Sequence, residues 1–182
     1  YRGAALEDLA LFLEGEERAG YRMRRWMSTA GAEPALLVNW TDPDPVLRAL
    51  IRDQRFRKAL AFGVDRESCN AIAWRGLLQP QAATVSQEAW HFADEAGQAL
   101  FEEWKRADAD YDLDKGNALL DDMGLTQRDD EGYRLRPDGK RLALMMDVPT
   151  SNLNRQENDI GLIVEAGWEA LGIDATLHTP PG

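Results

Sequence analysis

The sequence is short of the residues that most catalytic and metal centres need. Its 182 residues include one cysteine, Cys69, and two histidines, His91 and His178. A single cysteine excludes an internal disulfide and fits either a reducing compartment or a periplasmic protein without cystines. Two distant histidines leave little for a metal cage or a His-based triad, and neither lies near Ser68 or Cys69 in the chain. His178 falls on the polar side of an alternating stretch, and both histidines read as surface residues. No phosphate-binding loop and no G-x-G-x-x-G turn is present. Long apolar runs are missing as well, with nothing near the roughly 18 to 20 residues needed to span a bilayer. Positive charge is scarce: 21 Lys and Arg against 32 Asp and Glu leave a net charge of −11, which argues against a nucleic-acid partner. The acidic clusters, Asp108/Asp110/Asp112/Asp114, Asp121-Asp122 and Asp129-Asp130-Glu131, do not follow the spacing of a calcium loop. No metal and no cofactor is expected. The sequence opens at Tyr1 within helical-looking residues, reads as lacking a leader peptide, and both ends are expected to be cuts from a longer protein.

What is present is the composition of a folded domain. The chain is 44% hydrophobic, with six Trp and five Phe, enough to bury a core. Leu6, Leu9, Ala10 and Leu13 predict an amphipathic helix over residues 4–13, and Tyr21 to Met27 alternate as a strand. Ala35 to Trp40 is too short for a helix and too apolar for an exposed loop, so it reads as a buried strand. Pro43 and Pro45 make residues 41–45 a turn. Helices follow over 46–52 and 53–64, the second with Phe56, Ala59, Leu60 and Gly63 on one face. Asp65 is placed to cap another helix carrying Cys69, Ile72 and Ala73 on one side, with Cys69 a small core residue.

Residues 77–94 read as a long loop, and 96–105 as a helix with Leu100, Phe101 and Trp104 as its contacts. Asp112 caps a helix that Gly124 closes in a left-handed turn, with Leu125 folding back on it. Residues 133–146 predict a β-hairpin about Pro137-Asp138-Gly139-Lys140, with Leu142, Leu144 and Met146 on one face. Ile160, Ile163, Val164, Gly167, Trp168 and Leu171 give a long helix over 154–171. Ile173, Ala175 and Leu177 give a half-buried strand. The mixture indicates an α/β lobe with a mixed β-sheet and flanking helices.

Five of these segments, in this order, resemble the extracellular solute-binding proteins of family 5, the peptide- and nickel-type receptors of ABC importers. They are Leu36 to Glu67 with its Asn39 turn and Arg55-Phe56-Arg57-Lys58-Ala59-Leu60; Trp74-Arg75-Gly76; Tyr111 to Leu125; Asp138-Gly139-Lys140; and Ile163 to Leu177. Leu113 departs from the family's Pro and Gly116 from its Ala. The resemblance implies a fragment of a periplasmic-binding-protein type II-like fold, mostly the second lobe. Residues 1–34 would be a remnant of the first lobe and 35–182 a partial second lobe. It implies a non-enzymatic, periplasmic or cell-surface receptor that closes two lobes on a solute. The solute would be a peptide, nickel chelate, oligosaccharide or similar, delivered to a membrane permease. Peptide-binding members present Tyr and Glu from the crossing strand, where this chain has Ala35, Leu36 and Leu37, a departure from a standard oligopeptide receptor.

On this basis Leu37, Asn39 and Trp40 are the expected substrate-binding residues at the cleft border. Trp40, Trp74 and Trp90 are aromatic candidates for either the core or a cleft wall. The alternative is a carboxylate-dependent hydrolase on an α/β scaffold, for which no motif selects a carboxylate pair.

Overall fold

The computed structural model describes residues 8–24, 31, 34–148 and 155–179. Its helices are α1 (Leu9–Glu14), α2 (Glu16–Ala19), α3 (Pro45–Arg52), α4 (Gln54–Phe62), α5 (Arg66–Trp74), α6 (Glu95–Arg106), α7 (Leu113–Asp122) and α8 (Arg155–Ala170). The strands are β1 (Ala143–Asp147) and β2 (Asp174–His178), and Trp90–Phe92 forms a 3₁₀ turn.

Acidic caps delimit the helices, at Asp65 and Asp112 as the sequence predicts and at Asp94 in addition. Asp65 accepts from the Ser68 N–H, Asp94 from Gly97 and Asp112 from Lys115, each filling a donor left open by the first turn. Gly124, at φ +80°, closes α7, and the Leu125 N–H donates to Leu120 O so that Leu125 is buried against the helix. The main core lies where α4, α7, α8 and the strands meet. Phe56, Ala59, Leu120, Leu142, Val164, Leu171 and Ile173 are essentially inaccessible there, with Cys69 beside them. Each large side chain so placed contributes about 1.5–3 kcal/mol of transfer free energy. A smaller cluster of Ala83, Phe92 and Phe101, with Trp104 against it, joins the 3₁₀ turn to α6.

Two glycines explain how closely the helices approach. A Cβ at Gly167 on α8 would lie 1.9 Å from Gly63 O at the end of α4. A Cβ at Gly116 would meet Leu171 Cδ2 at 2.8 Å, so the departure from Ala at that position serves packing as well as costing backbone entropy. Beside the α4–α8 crossing, the Trp168 Nε1–H donates to Leu60 O at 2.9 Å, satisfying the indole inside the core.

The sheet differs from the expected mixed one. Among the described residues it has two strands, β1 and β2, paired in parallel with Met145 opposite Thr176. The α8 crossover between them is the connection a parallel pair requires. The expected hairpin over 133–146 survives as one antiparallel bridge, Leu135 to Arg141, and a second bridge joins Arg134 to Arg128 outside it. Arg134 keeps one side in the hairpin, its O accepting from the Leu142 N–H, while its own N–H donates to Gly172 O and its side chain enters the core, so the pairing stays short of a ladder. The predicted one-sided burial in β1 does hold, with Leu142 and Met146 buried and Leu144 packed on the core.

Other expectations fail for local reasons. Residues 21–24 are not a strand: the Met23 N–H donates to Glu16 Oε1 and the Tyr21 hydroxyl to Phe12 O, folding the segment back on α1 and α2. The rest of that predicted strand falls outside the described residues, as do the first residues of the predicted 4–13 helix. Ile72 and Leu100, expected to be buried, are 60% and 59% exposed because their helices turn other faces to the cores. The 77–94 loop is pinned at its start by Asn70, whose amide donates to Leu78 O and accepts from the Leu78 N–H.

Candidate ligand-binding site

Ala35 to Asn39 forms no strand and Trp40 lies in a turn, so the expected buried strand is corrected. Val38 alone packs on the core, and its neighbours point to solvent, Leu37 being 92% and Trp40 50% exposed. Composition cannot separate a buried strand from an apolar surface segment when the partner that would cover it is distant in sequence. The structure thus puts Leu37, Asn39 and Trp40 on one accessible segment.

The turn after this segment is rigid. Asn39 Oδ1 accepts from the Thr41 N–H at 3.1 Å and its hydroxyl at 3.0 Å, closing an Asx-type turn. Asp42 Oδ1 accepts from the Asp44 N–H at 2.9 Å. Asp44 then caps α3 by accepting from Val46 at 2.9 Å and Leu47 at 3.2 Å, with Pro45 at the first helical position.

The other Asp44 oxygen pairs with Arg136 Nη1 at 2.8 Å, and Arg136 also holds Asp138 at 2.5 Å. Its guanidinium is 7% exposed, so this bond ties the turn to the 135–141 segment. Capping N–H groups, Leu47 first, and Arg136 hold the Asp44 carboxyl below its ordinary value, while Arg136 holds Asp138 down to about 2. Depressed carboxylates stabilise the fold above their unfolded value, and that stability is lost as pH falls through the folded one. Acid titration of the folded protein is therefore expected to show an unfolding contribution between pH 4 and 2. The double variant D44N/D138N should be less stable at neutral pH and flatter across that window by circular dichroism.

Arginines that the sequence reading did not select surround Trp40. Arg57 lies over its ring, 4.7 Å from the centroid. Arg52 Nε donates to Trp40 O at 3.1 Å, and Arg48 Nη1 to Asp42 O at 2.6 Å. The i, i+4 spacing of Arg48 and Arg52 was the available sequence signal, since it puts both on one helical face. The other tryptophans lie apart: Trp74 packs on the main core, and Trp90 stacks on His91 with centroids 3.9 Å apart.

The chemistry on offer is binding. No group of three metal-ligating side chains occurs among the described residues. Ser68 Oγ donates to Asp65 Oδ2 at 2.6 Å as part of a helix cap. Cys69 is buried, and burial pushes its thiol up, away from a reactive thiolate. His178 pairs with Asp147 at 2.7 Å across the two strands, both exposed. Among the acidic clusters, Asp112 is committed to a helix cap and Asp129 to Arg141.

Residues 16–182 match the model of the bacterial extracellular solute-binding proteins, family 5 Middle. The chain belongs to this family, whose members bind solutes rather than catalyse reactions. Among solved structures it is similar to an oligopeptide-binding protein OppA, at 32% identity and a TM-score of 0.83 over 99% of this chain and 26% of that one. It also resembles AppA of Bacillus subtilis in complex with a nonapeptide, at 20% identity and a TM-score of 0.60 over 72% of this chain and 24% of that one. A third is NikZ of Campylobacter jejuni in complex with Ni(L-His), at 21% identity and a TM-score of 0.58 over 73% of this chain and 24% of that one. The chain therefore spans about a quarter of the length of these structures. No curated protein matches it. The fold is a fragment of the periplasmic-binding-protein fold, largely helical with a two-stranded parallel sheet. Among the described residues no helix is long and apolar enough to cross a membrane.

Proposed function

We propose that this chain is part of the substrate-binding component of an ABC importer. It captures a solute between two lobes, in the periplasm or at the cell surface, and hands it to the membrane permease. Residues 35–182 supply most of the second lobe and 1–34 a remnant of the first. Leu37, Asn39 and Trp40 border the cleft. The observation that carries this reading is the exposed Leu37 and Trp40 on a turn locked by Asn39, Asp42 and Asp44. Leu36, Leu37 and Trp40 are exposed together on one short segment, and grouped apolar surface marks interaction sites where scattered single residues do not; a hydrogen-bonded turn loses little entropy on contact. A peptide, a nickel chelate and an oligosaccharide are the solute classes to test, with Ala35-Leu36-Leu37 disfavouring a standard oligopeptide.

The test titrates the protein at its natural length with panels of all three. Saturable thermal stabilisation without turnover is expected, about 2.7 kcal/mol at a hundredfold excess over Kd. The triple variant L37A/N39A/W40A should bind the responding solute at least about tenfold more weakly, since truncating an aromatic anchor typically costs 2 kcal/mol or more. Unchanged affinity would remove these residues from the cleft. Turnover of any solute would reject the receptor reading in favour of the hydrolase.

A further inference from the structure

We infer that Arg48, Arg52 and Arg57 form, with Trp40, a binding site for an oxyanion, so that the captured solute carries a carboxylate or phosphate group at this wall of the cleft. The inference rests on the reading of Leu37 to Trp40 as cleft border and adds the chemical class of the solute.

Among the described residues these three arginines lack the carboxylate partners of the chain's ion-paired arginines, as do Arg66 and Arg128 elsewhere in the fold. The chain carries −11 overall, and Arg55, Arg106, Arg134, Arg136 and Arg141 each hold a carboxylate within 4.0 Å. Arg48, Arg52 and Arg57 hold none among the described residues; their protein acceptors there are backbone carbonyl oxygens. Arg48 and Arg52 stand one helical turn apart on α3, where like charges repel. Arg57 adds a third cation at the same place, because its Nη1 donates to Arg52 O at 2.8 Å and to Ile51 O at 2.9 Å. Arg57 caps the last carbonyls of α3 and feels the Asp53 carboxylate, yet no carboxylate lies within 4.0 Å of the three among the described residues, which leaves them open to an external anion.

Geometry favours an oxyanion over a diffuse counterion cloud. Each guanidinium has five N–H donors in a plane. Each of these three commits a single nitrogen to the backbone, Nη1 in Arg48 and Arg57 and Nε in Arg52, which fixes the group and leaves further donors for a carboxylate or phosphate. The Trp40 face holds Arg57 in place and supplies apolar surface beside the charge.

The experiment uses the natural-length protein and calorimetric titration. The probes are inorganic phosphate and one pentapeptide in free-acid and C-terminally amidated forms, with a neutral oligosaccharide in parallel. Phosphate is expected to bind saturably, and the free-acid peptide at least tenfold more tightly than its amide if the carboxylate is the source. Preference for phosphate over both peptides assigns the site to a phosphorylated solute. R48Q/R52Q should weaken oxyanion binding at least tenfold, and R48K/R52K, which keeps the charge but not the fork, should weaken it severalfold. The distant pair R18Q/R106Q, with the same change in charge, should alter it less than twofold. Thermal unfolding verifies that each variant folds. Absence of phosphate binding to the unmodified protein, or equal losses in R48Q/R52Q and R18Q/R106Q, overturns the site. If the oligosaccharide binds while no oxyanion does, the receptor reading stands and this inference alone falls.

Discussion

Replacing Gly167 with alanine is expected to destabilise the protein by about 2–4 kcal/mol, the upper range for forcing an extra methyl into a packed interior. The new Cβ would sit 1.9 Å from Gly63 O, a backbone atom that cannot rotate aside. Retreat is blocked on the other side too, since a Cβ at Gly63 would itself meet Leu171 Cδ1 and Trp168 Cδ1 at 2.9 Å. Either α8 lifts off α4, breaking the Trp168 to Leu60 bond, or the core around Leu171 reorganises. Urea unfolding should show a lower midpoint with an unchanged slope. In an open helix the same substitution stabilises by about 1 kcal/mol, so a gain in stability would refute the close crossing.

Arg134 is the second position of large effect. Its side chain is 2% exposed. Nε donates to Leu171 O at 2.8 Å, Nη2 to Asn117 Oδ1 at 2.7 Å, and Nη1 to Asp121 at 2.5 Å and to Leu125 O. One guanidinium thus fastens the end of α7, the turn after it and the end of α8. Arg134→Ala leaves Leu171 O and Leu125 O unpartnered in a dry space, frees the partly exposed Asp121 and Asn117, and removes the packed stem, for an expected loss of about 3–5 kcal/mol. Arg134→Met restores the volume and should recover part of it. If alanine and methionine are equally tolerated in thermal unfolding, the four acceptors find other donors and the tie is not structural.

The parts legible in the sequence were those decided locally. The α8 stripe, the Asp65 and Asp112 caps, the Gly124 stop and the Phe56/Ala59/Leu60 face each depend on residues within a turn or two of one another. What was not legible depends on distant partners. Ala35 to Trp40 has the composition of a buried strand, and only the absence of a covering element among the described residues keeps it exposed. Residues 141–146 look like half of a hairpin, yet β1 takes its partner from residues 174–178, beyond a whole helix. Arg134 sits in an alternating polar stretch that gives no sign of a buried tie. At the candidate site the sequence brought Leu37, Asn39 and Trp40 to notice. The arginines around Trp40 emerge only when α3 and α4 fold beside the turn.

The Trp168 to Leu60 bond spans 108 positions of the chain. A ribosome adding about 5–20 residues each second leaves α4 waiting roughly 5–20 s for the helix that completes its shelter. During that interval Leu60 and Gly63 lack their α8 neighbours, so the newborn chain carries a partly uncovered amphipathic helix through synthesis. Holding factors that shield such surfaces should therefore matter more for its yield than for its final stability.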